Sequence, residues 1–171
     1  MDLKSTIRVI EDFPIKGISF KDITTLLNNG EAFAYAVDKI DEMIDDNVNV
    51  IVAPEARGFI FGTAVAYKRK CRFVPVRKPG KLPAESLSYS YDLEYGKNDL
   101  LLHKDAISKC DKIAIIDDLL ATGGTLKACA KLVEMLEGEV LNIVAVVELT
   151  ELPGREVLKG YNCKALVEYK H

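Results

Sequence analysis

The stretch IAIIDDLLATGGT, residues 113–125, joins an apolar run, an acidic pair and a turn of small residues. The run 113–116 predicts a central parallel strand that is covered on both faces, and we expect Asp117 and Asp118 to end it. The backbone of the turn that follows can approach an anion closely, because its side chains are small. A helix is predicted over 126–136 from its apolar spacing. Phosphate binds well at such a helix N-terminus, so this stretch predicts a site for a phosphorylated sugar.

The same alternation of strands and helices runs through the rest of the chain. Strands are predicted at 48–53, 72–76, 113–116, 140–148 and 164–169, and helices at 2–10, 31–46, 59–68 and 126–136. This pattern predicts an α/β fold with a mainly parallel, twisted sheet flanked by helices. No Pro/Gly/Ser-rich linker and no internal repeat divides the 171 residues, so we expect a single domain over 1–171.

Residues 77–97 interrupt the alternation with a long segment that contains Tyr89, Tyr91 and Tyr95. Long segments of this kind in compact domains are often functional, and we expect a flexible lid over a site. The alternative is a passive surface hairpin, because serines at 86, 88 and 90 alternate with larger side chains.

The composition limits the classes of partner. The 23 basic and 26 acidic residues give a net charge of −3, which argues against a nucleic-acid partner because the chain lacks a strong positive field. The four cysteines include no CxxC pair, so reduced thiols and a cytoplasmic location are expected. The sequence has no signal-peptide pattern and no apolar run of about 20 residues, so we expect no membrane partner.

Three turns are expected to meet at the carboxyl edge of the sheet, where open α/β sheets bind ligands. They lie at 54–58, 77–81 and 117–125. They offer a nest of N–H groups, a carboxylate pair and four cations, which together suit a sugar carrying several phosphates; the cations are Arg57, Arg77, Lys78 and Lys81. An N-cap at a strand end is the structural alternative for Asp117 and Asp118, although adjacent carboxylates repel each other. The nucleotide motifs GxxxxGK[ST] and GxGxxG are absent.

IAIIDDLLATGGT resembles the phosphoribosyl pyrophosphate motif of the type I phosphoribosyltransferases. Five further segments are similar, in order and spacing, to the members of that family that use adenine: DFPIKGISFKDIT at 12–24, EARGFIFG at 55–62, VRKPGKLP at 76–83, YDLEYG at 91–96 and VVELTELPGRE at 146–156. The resemblance covers the chain nearly end to end. It implies the type I phosphoribosyltransferase fold, with a lid hairpin and a small N-terminal hood that binds the base.

The resemblance also implies an activity in purine salvage. The 5-phosphoribosyl group would pass from phosphoribosyl pyrophosphate to adenine, giving AMP and pyrophosphate, in a homodimer. Mg²⁺ would be held mainly by substrate oxygens and water rather than by protein ligands. The alternatives are a transferase for hypoxanthine, guanine or xanthine, and a non-catalytic regulator that binds phosphoribosyl pyrophosphate as an effector.

By the same resemblance, the 5′-phosphate would be held by Ala121, Thr122, Gly123, Gly124 and Thr125. Asp117 and Asp118 would lie by the ribose hydroxyls and stabilise an oxocarbenium-like sugar. Arg57 would meet pyrophosphate, with Arg77, Lys78 and Lys81 from this subunit or a neighbour, unless the lysines belong to a solvated loop.

Glu94 and Tyr95 match the catalytic positions of the lid, and Glu94 is a hypothetical proton carrier for the base. Ser19, Phe20 and Lys21 would bind adenine, with Phe20 stacking on the ring. Simple core packing is the alternative for Phe20. Many relatives carry arginine where this chain has Lys21, which loses a planar bidentate donor.

Overall fold

The computed structural model describes residues 1–93 and 96–170. In chain order the elements are a 3-10 helix (Leu3–Thr6), β1 (Arg8–Ile10), β2 (Phe20–Asp22), α1 (Thr24–Leu27), α2 (Gly30–Glu42), β3 (Val50–Pro54), α3 (Arg57–Arg69), β4 (Arg72–Val76), β5 (Ser86–Leu93), β6 (Gly96–His103), β7 (Lys112–Leu120), α4 (Gly124–Met135), β8 (Glu139–Leu149), α5 (Gly154–Val157) and β9 (Cys163–Tyr169).

A parallel sheet of five strands in the order β4-β3-β7-β8-β9 forms the centre of the protein. All five strands were expected from the sequence, and the α/β fold class is confirmed. The end of β7 was predicted wrongly, because the strand continues through Asp117 and Asp118 to Leu120. The long neighbouring strand β8 supplies backbone partners for the extra residues, so Asp117 lies opposite Ala145 in the ladder. Both carboxylates are therefore held on a rigid strand.

Side chains of the central strands alternate between two cores, one on each face of the sheet. Ala114 and Ile116 pack with the buried side chains of α2 and α3, whereas Ile113 and Ile115 pack with those of α4. This alternation has the two-residue period of a strand, and it explains why β7 is apolar at successive positions. Close packing of α3 depends on Gly62, because a Cβ there would lie 2.9 Å from the Cβ of Ala53.

The N-terminal segment differs from the helix that was predicted over 2–10. Asp2 caps a single 3-10 turn by accepting from the Lys4 backbone N–H at 3.0 Å. The chain then extends into β1, which pairs antiparallel with β2. An ion pair between Arg8 and Asp22, at 2.6 Å, joins these strands. This cross-strand partner, which is distant in sequence, overrides the local helical spacing.

Residues 77–103 contain an antiparallel hairpin of β5 and β6, with Ser86 opposite His103 and Leu93 opposite Gly96. Its base is anchored, because Leu100 and Leu102 are buried in the core on the α4 side and Leu101 forms a bridge with Arg77. A hairpin was part of both interpretations of this segment, the flexible lid and the passive surface hairpin, and motion of its tip as a lid stays a prediction.

The cysteines form no disulfide in the structure. Over residues 1–93 and 96–170, no helix has the length and apolar character that crossing a membrane requires.

Candidate active site

The sheet has a topological switch beside β3, and the candidate site lies there. From β3 the chain crosses to β4 on one side, and it later returns to β7 on the other. Ligands of open α/β sheets bind in the crevice outside such a point, at the carboxyl ends of the strands. Arg57, at the start of α3, and the acidic pair of β7 flank this crevice.

The acidic pair is almost completely buried, and Arg57 is its one cationic partner among residues 1–93 and 96–170. Asp117 is 8% exposed and Asp118 is 6% exposed. Asp118 accepts a hydrogen bond from Nε of Arg57 at 2.6 Å, and a carboxylate oxygen of Asp117 accepts the backbone N–H of Asp118 at 2.8 Å. Burial raises the pKa of Asp117 well above its usual range, and the neighbouring Asp118 charge adds to this effect. A cation or a developing positive charge nearby would stabilise the ionised form of Asp117.

Gly58 allows the start of α3 to approach the acidic pair. A Cβ at this position would lie 3.0 Å from Oδ1 of Asp117 and 3.2 Å from the carbonyl oxygen of Ile116. A larger residue would therefore displace either the carboxylate or the helix that carries Arg57.

The small-residue turn leads directly into α4. Gly123 is the N-cap of this helix and has φ +85°, a conformation that glycine adopts without steric cost. The helix begins at Gly124, two residues before the predicted start. The N-cap alternative for Asp117 and Asp118 is wrong, because Gly123 occupies the cap position. The first N–H groups of α4 have no partner within the helix, and the turn that precedes them lines a cavity, as an anion site requires.

Two adjoining cavities share the acidic pair, Arg57 and Thr125. One, of about 170 Å³, runs along the turn from Ala121 to Leu126. The other, of about 350 Å³, lies between the β3–α3 turn and the hairpin; its further lining residues are Glu55, Ala56, Lys78, Tyr91, Asn98 and Leu100. The arrangement gives one anion compartment at the helix N-terminus and a second, larger compartment that contains cations.

The three cations after β4 are in different places. Lys78 lines the larger cavity, whereas Arg77 and Lys81 line neither of these two cavities. Nε of Arg77 donates to Glu55 at 3.0 Å, and Lys81 is exposed. The backbone N–H of Lys78, at 2.7 Å from Oε1 of Glu55, together with Arg77 keeps the pKa of Glu55 below its usual range. Glu55 therefore holds the loop that presents Lys78.

Tyr91 and Glu55 were not among the predicted site residues. The hydroxyl of Tyr91 lies 3.2 Å from Oγ1 of Thr125, and its ring would lie 2.9 Å from a Cβ on Gly124. The tyrosine cluster in the sequence marked the segment as unusual. Which tyrosine of that cluster reaches the site could not be predicted from the sequence, because it depends on how the hairpin packs on α4.

A third cavity, of about 350 Å³, lies beneath the N-terminal strands and reaches Arg57. Phe13 and Phe20 line it, and their rings meet edge to face with centroids 5.2 Å apart. Lys21 also lines it, although its Nζ donates back to the Ser19 carbonyl at 3.1 Å and hydroxyl at 2.5 Å. Phe20 thus lies at a cavity wall rather than in the core, whereas Ser19 does not line this cavity.

Two predicted catalytic residues, Glu94 and Tyr95, lie outside the described residues. Within 1–93 and 96–170, no group of three or more His, Cys, Asp and Glu side chains is arranged to hold a metal ion.

A parallel sheet with an acidic pair and a glycine turn at its switch point defines a phosphoribosyl-transfer domain. Accordingly, the family model described as "Phosphoribosyl transferase domain" matches residues 21–169. The chain is 60% identical to the adenine phosphoribosyltransferase of Alkaliphilus oremlandii, over 99% of both chains. It is also similar to the crystal structure of adenine phosphoribosyltransferase from Thermoanaerobacter pseudethanolicus, with a TM-score of 0.94, 51% identity and 98% of each chain covered.

A third similar protein is adenine phosphoribosyltransferase from Saccharomyces cerevisiae, solved in complex with an imino-altritol bisphosphate and adenine. It has a TM-score of 0.89 and 35% identity, with 96% of each chain covered. This chain belongs to the phosphoribosyltransferase family and, within it, to the adenine phosphoribosyltransferases. It is therefore a transferase, and its family typically uses a divalent metal.

Proposed function

We propose that this enzyme transfers the 5-phosphoribosyl group of phosphoribosyl pyrophosphate to adenine, giving AMP and pyrophosphate in purine salvage. The observation that supports the proposal is that three cavities share one lining residue. Arg57 lines all three, so an anion, a sugar and an aromatic base can be bound side by side.

The turn Ala121 to Thr125 is proposed to hold the 5′-phosphate through its N–H groups and the α4 dipole. Pyrophosphate would lie in the larger cavity on Arg57 and Lys78, which supply opposite charge. Arg77 and Lys81 would contribute only after the loop moves or from a neighbouring subunit.

The reaction would break the bond from ribose C1′ to the pyrophosphate oxygen and form a bond from C1′ to adenine N9, which loses its proton. The sugar becomes positively charged as pyrophosphate leaves, and the carboxylates of Asp117 and Asp118 would stabilise that charge. Glu94 is the proposed proton carrier and Tyr95 its partner in the lid. Closure of the lid would exclude water, which otherwise competes for the sugar.

Adenine would occupy the cavity beneath the N-terminal strands. The face of Phe20 offers a stacking surface for a purine. Ser19 does not line this cavity, so its backbone groups would reach the edge of the base only after its loop shifts. The contact of Lys21 with Ser19 makes Lys21 a support for that backbone rather than a direct reader of adenine.

Mg²⁺ is the proposed divalent metal. A buried carboxylate pair beside a phosphate compartment suits an ion that takes most of its ligands from substrate oxygens and water. When bound, the ion would neutralise charge on the leaving pyrophosphate. Asp117 and Asp118 are the residues that would face it.

We further propose one domain over 1–171, a homodimer and a cytoplasmic location. Gel filtration with light scattering would test the assembly, and a mass of one chain would contradict it.

The activity is tested by incubating the protein with phosphoribosyl pyrophosphate, Mg²⁺ and one purine at a time, and following nucleotide formation. AMP from adenine, with much slower product formation from hypoxanthine, guanine and xanthine, is expected. Binding of phosphoribosyl pyrophosphate without any nucleotide product would instead indicate a non-catalytic protein, and faster use of another purine would reassign the base.

A further inference from the structure

An ion pair lies near the turn 121–125, and neither of its residues lines the three cavities described above. Arg155, in α5, donates from Nε to Oε1 of Glu148 at 2.7 Å and from Nη2 to Oε2 at 2.5 Å. Its remaining terminal nitrogen donates to the carbonyl oxygen of Cys163. Glu148 is 4% exposed. A bidentate pair on a buried carboxylate fixes the guanidinium in one orientation.

The residue before Arg155 contacts the turn directly. A Cβ on Gly154 would lie 2.5 Å from the carbonyl oxygen of Ala121. In the opposite direction, a Cβ on Gly123 would lie 3.0 Å from the Gly154 carbonyl oxygen and 3.1 Å from Val157 Cβ. Backbone therefore packs on backbone here, with no side chain between them. A shift of α5 would move the turn itself.

Two further contacts connect the pair to the site. Glu148 lies opposite Leu120 in the ladder between β7 and β8, so it is anchored to the strand that carries the acidic pair. Lys127 of α4 donates to the carbonyl oxygen of Val157 at 3.3 Å. The short helix α5 is thus attached to β8 at one end and to α4 at the other.

We infer that Glu148 and Arg155 are positioning residues that hold α5 against the turn and so set the geometry of the 5′-phosphate site. This inference rests on the proposed function, because it assigns that phosphate to residues 121–125. Neither residue touches the substrate cavities, so the effect passes through the backbone contact of Gly154 with Ala121 and Gly123. Affinity for the sugar phosphate, rather than the rate of the chemical step, is the quantity that the pair controls.

The decisive variant is Arg155→Lys, which keeps the charge and loses the fork that bonds both oxygens of Glu148. We expect KM for phosphoribosyl pyrophosphate to rise about tenfold, because displaced backbone N–H groups make weaker hydrogen bonds to the charged phosphate. kcat and KM for adenine should stay at the wild-type values. Calorimetry should give the same rise in Kd for ribose 5-phosphate, with no change for inorganic pyrophosphate. Glu148→Gln removes the negative charge of the pair, and it should likewise raise KM for phosphoribosyl pyrophosphate.

Arg72→Lys is the matched control. Arg72 pairs with Asp111 at the amino end of the same sheet, and its side chain is 50% exposed, against 45% for Arg155. The carboxylate partners are 11% and 5% exposed. Arg72→Lys should lower the melting temperature comparably and leave KM for phosphoribosyl pyrophosphate unchanged.

The outcomes separate the inference from the proposed function. A wild-type protein that makes no nucleotide overturns the function, and the ribose 5-phosphate titration then still tests the pair. An active wild type whose Arg155→Lys and Arg72→Lys variants lose only stability, with equal affinity for ribose 5-phosphate, overturns the positioning role.

Discussion

Arg57 and Asp118 form the central ion pair of the site, with 2.6 Å between Nε and Oδ2. The pair joins the start of α3 to the acidic end of β7 across the topological switch. Pyrophosphate binding would compete with Asp118 for the guanidinium, which would free the carboxylate to face the sugar.

The two partners are therefore predicted to control different kinetic parameters. Arg57→Gln should lower kcat/KM for phosphoribosyl pyrophosphate about a hundredfold, mostly through KM, because a charged hydrogen bond contributes about 1.5–3 kcal/mol. Asp118→Asn should lower kcat with little rise in KM, because Arg57 stays available. Steady-state kinetics measures both. If the two variants change the same parameter equally, the pair is only a structural bridge.

Burial of the Asp117 carboxyl group predicts that the variant Asp117→Asn is more stable than wild type, although it loses activity. The pKa of Asp117 in the folded protein lies above the ordinary value of 3.8. At a pH between the unfolded-state pKa and the folded-state pKa, the folded protein therefore binds more protons than the unfolded chain. The free energy of unfolding then falls as pH rises through that interval. Asp117→Asn should be more stable than wild type at neutral pH, and the difference should shrink as pH falls towards 4.

Urea unfolding of the unliganded protein at several pH values measures this difference. Asp105→Asn, at an exposed position, is the control and should stay within about 0.5 kcal/mol of wild type. A wild type that is more stable than Asp117→Asn at neutral pH would contradict the burial argument.

Gly123 combines a left-handed backbone with a close contact, and the two effects can be separated. Gly123→Ala and Gly160→Ala both place a side chain at positive φ, +85° and +95°, so each should lose about 1–2 kcal/mol of stability. Only Gly123 is crowded by Gly154, since nothing lies within 4 Å of a Cβ at Gly160.

Gly123→Ala should also weaken binding of phosphoribosyl pyrophosphate, whereas Gly160→Ala should leave KM unchanged. Thermal unfolding and initial-rate kinetics on the two variants check this. Equal KM values would show that the turn tolerates displacement.

Tyr91 is predicted to assist the phosphate turn through its hydroxyl, which lies 3.2 Å from Thr125. Tyr91→Phe keeps the ring over Gly124 and removes one neutral hydrogen bond, so KM for phosphoribosyl pyrophosphate should rise about threefold. Tyr67→Phe is the control, because Tyr67 is 88% exposed on α3. A Tyr91→Phe enzyme with wild-type KM would assign Tyr91 a packing role only.

Local patterns in the chain were sufficient to predict the central sheet and the turn of small residues at 121–125. The apolar run before Asp117, the small residues at 121–125 and the helical spacing after them each report on neighbours within a few positions. The mainly parallel sheet followed from the alternation of strands and helices, and the family followed from the resemblance of six segments; the order of the strands was not predicted. The prediction failed at the N-terminus, where Arg8 pairs with Asp22 on another strand, and at the end of β7, where β8 extends the ladder.

By itself, the sequence determined which segments form strands and helices and that an acidic pair precedes a glycine turn, because these properties depend on local spacing and residue type. Only the tertiary structure decided which groups meet. It pairs Arg57 with Asp118, turns Arg77 towards Glu55, leaves Lys81 outside the two cavities and packs Gly154 on the turn 121–125. Such contacts join residues far apart in the chain, and their geometry depends on packing of the whole sheet edge rather than on any one segment.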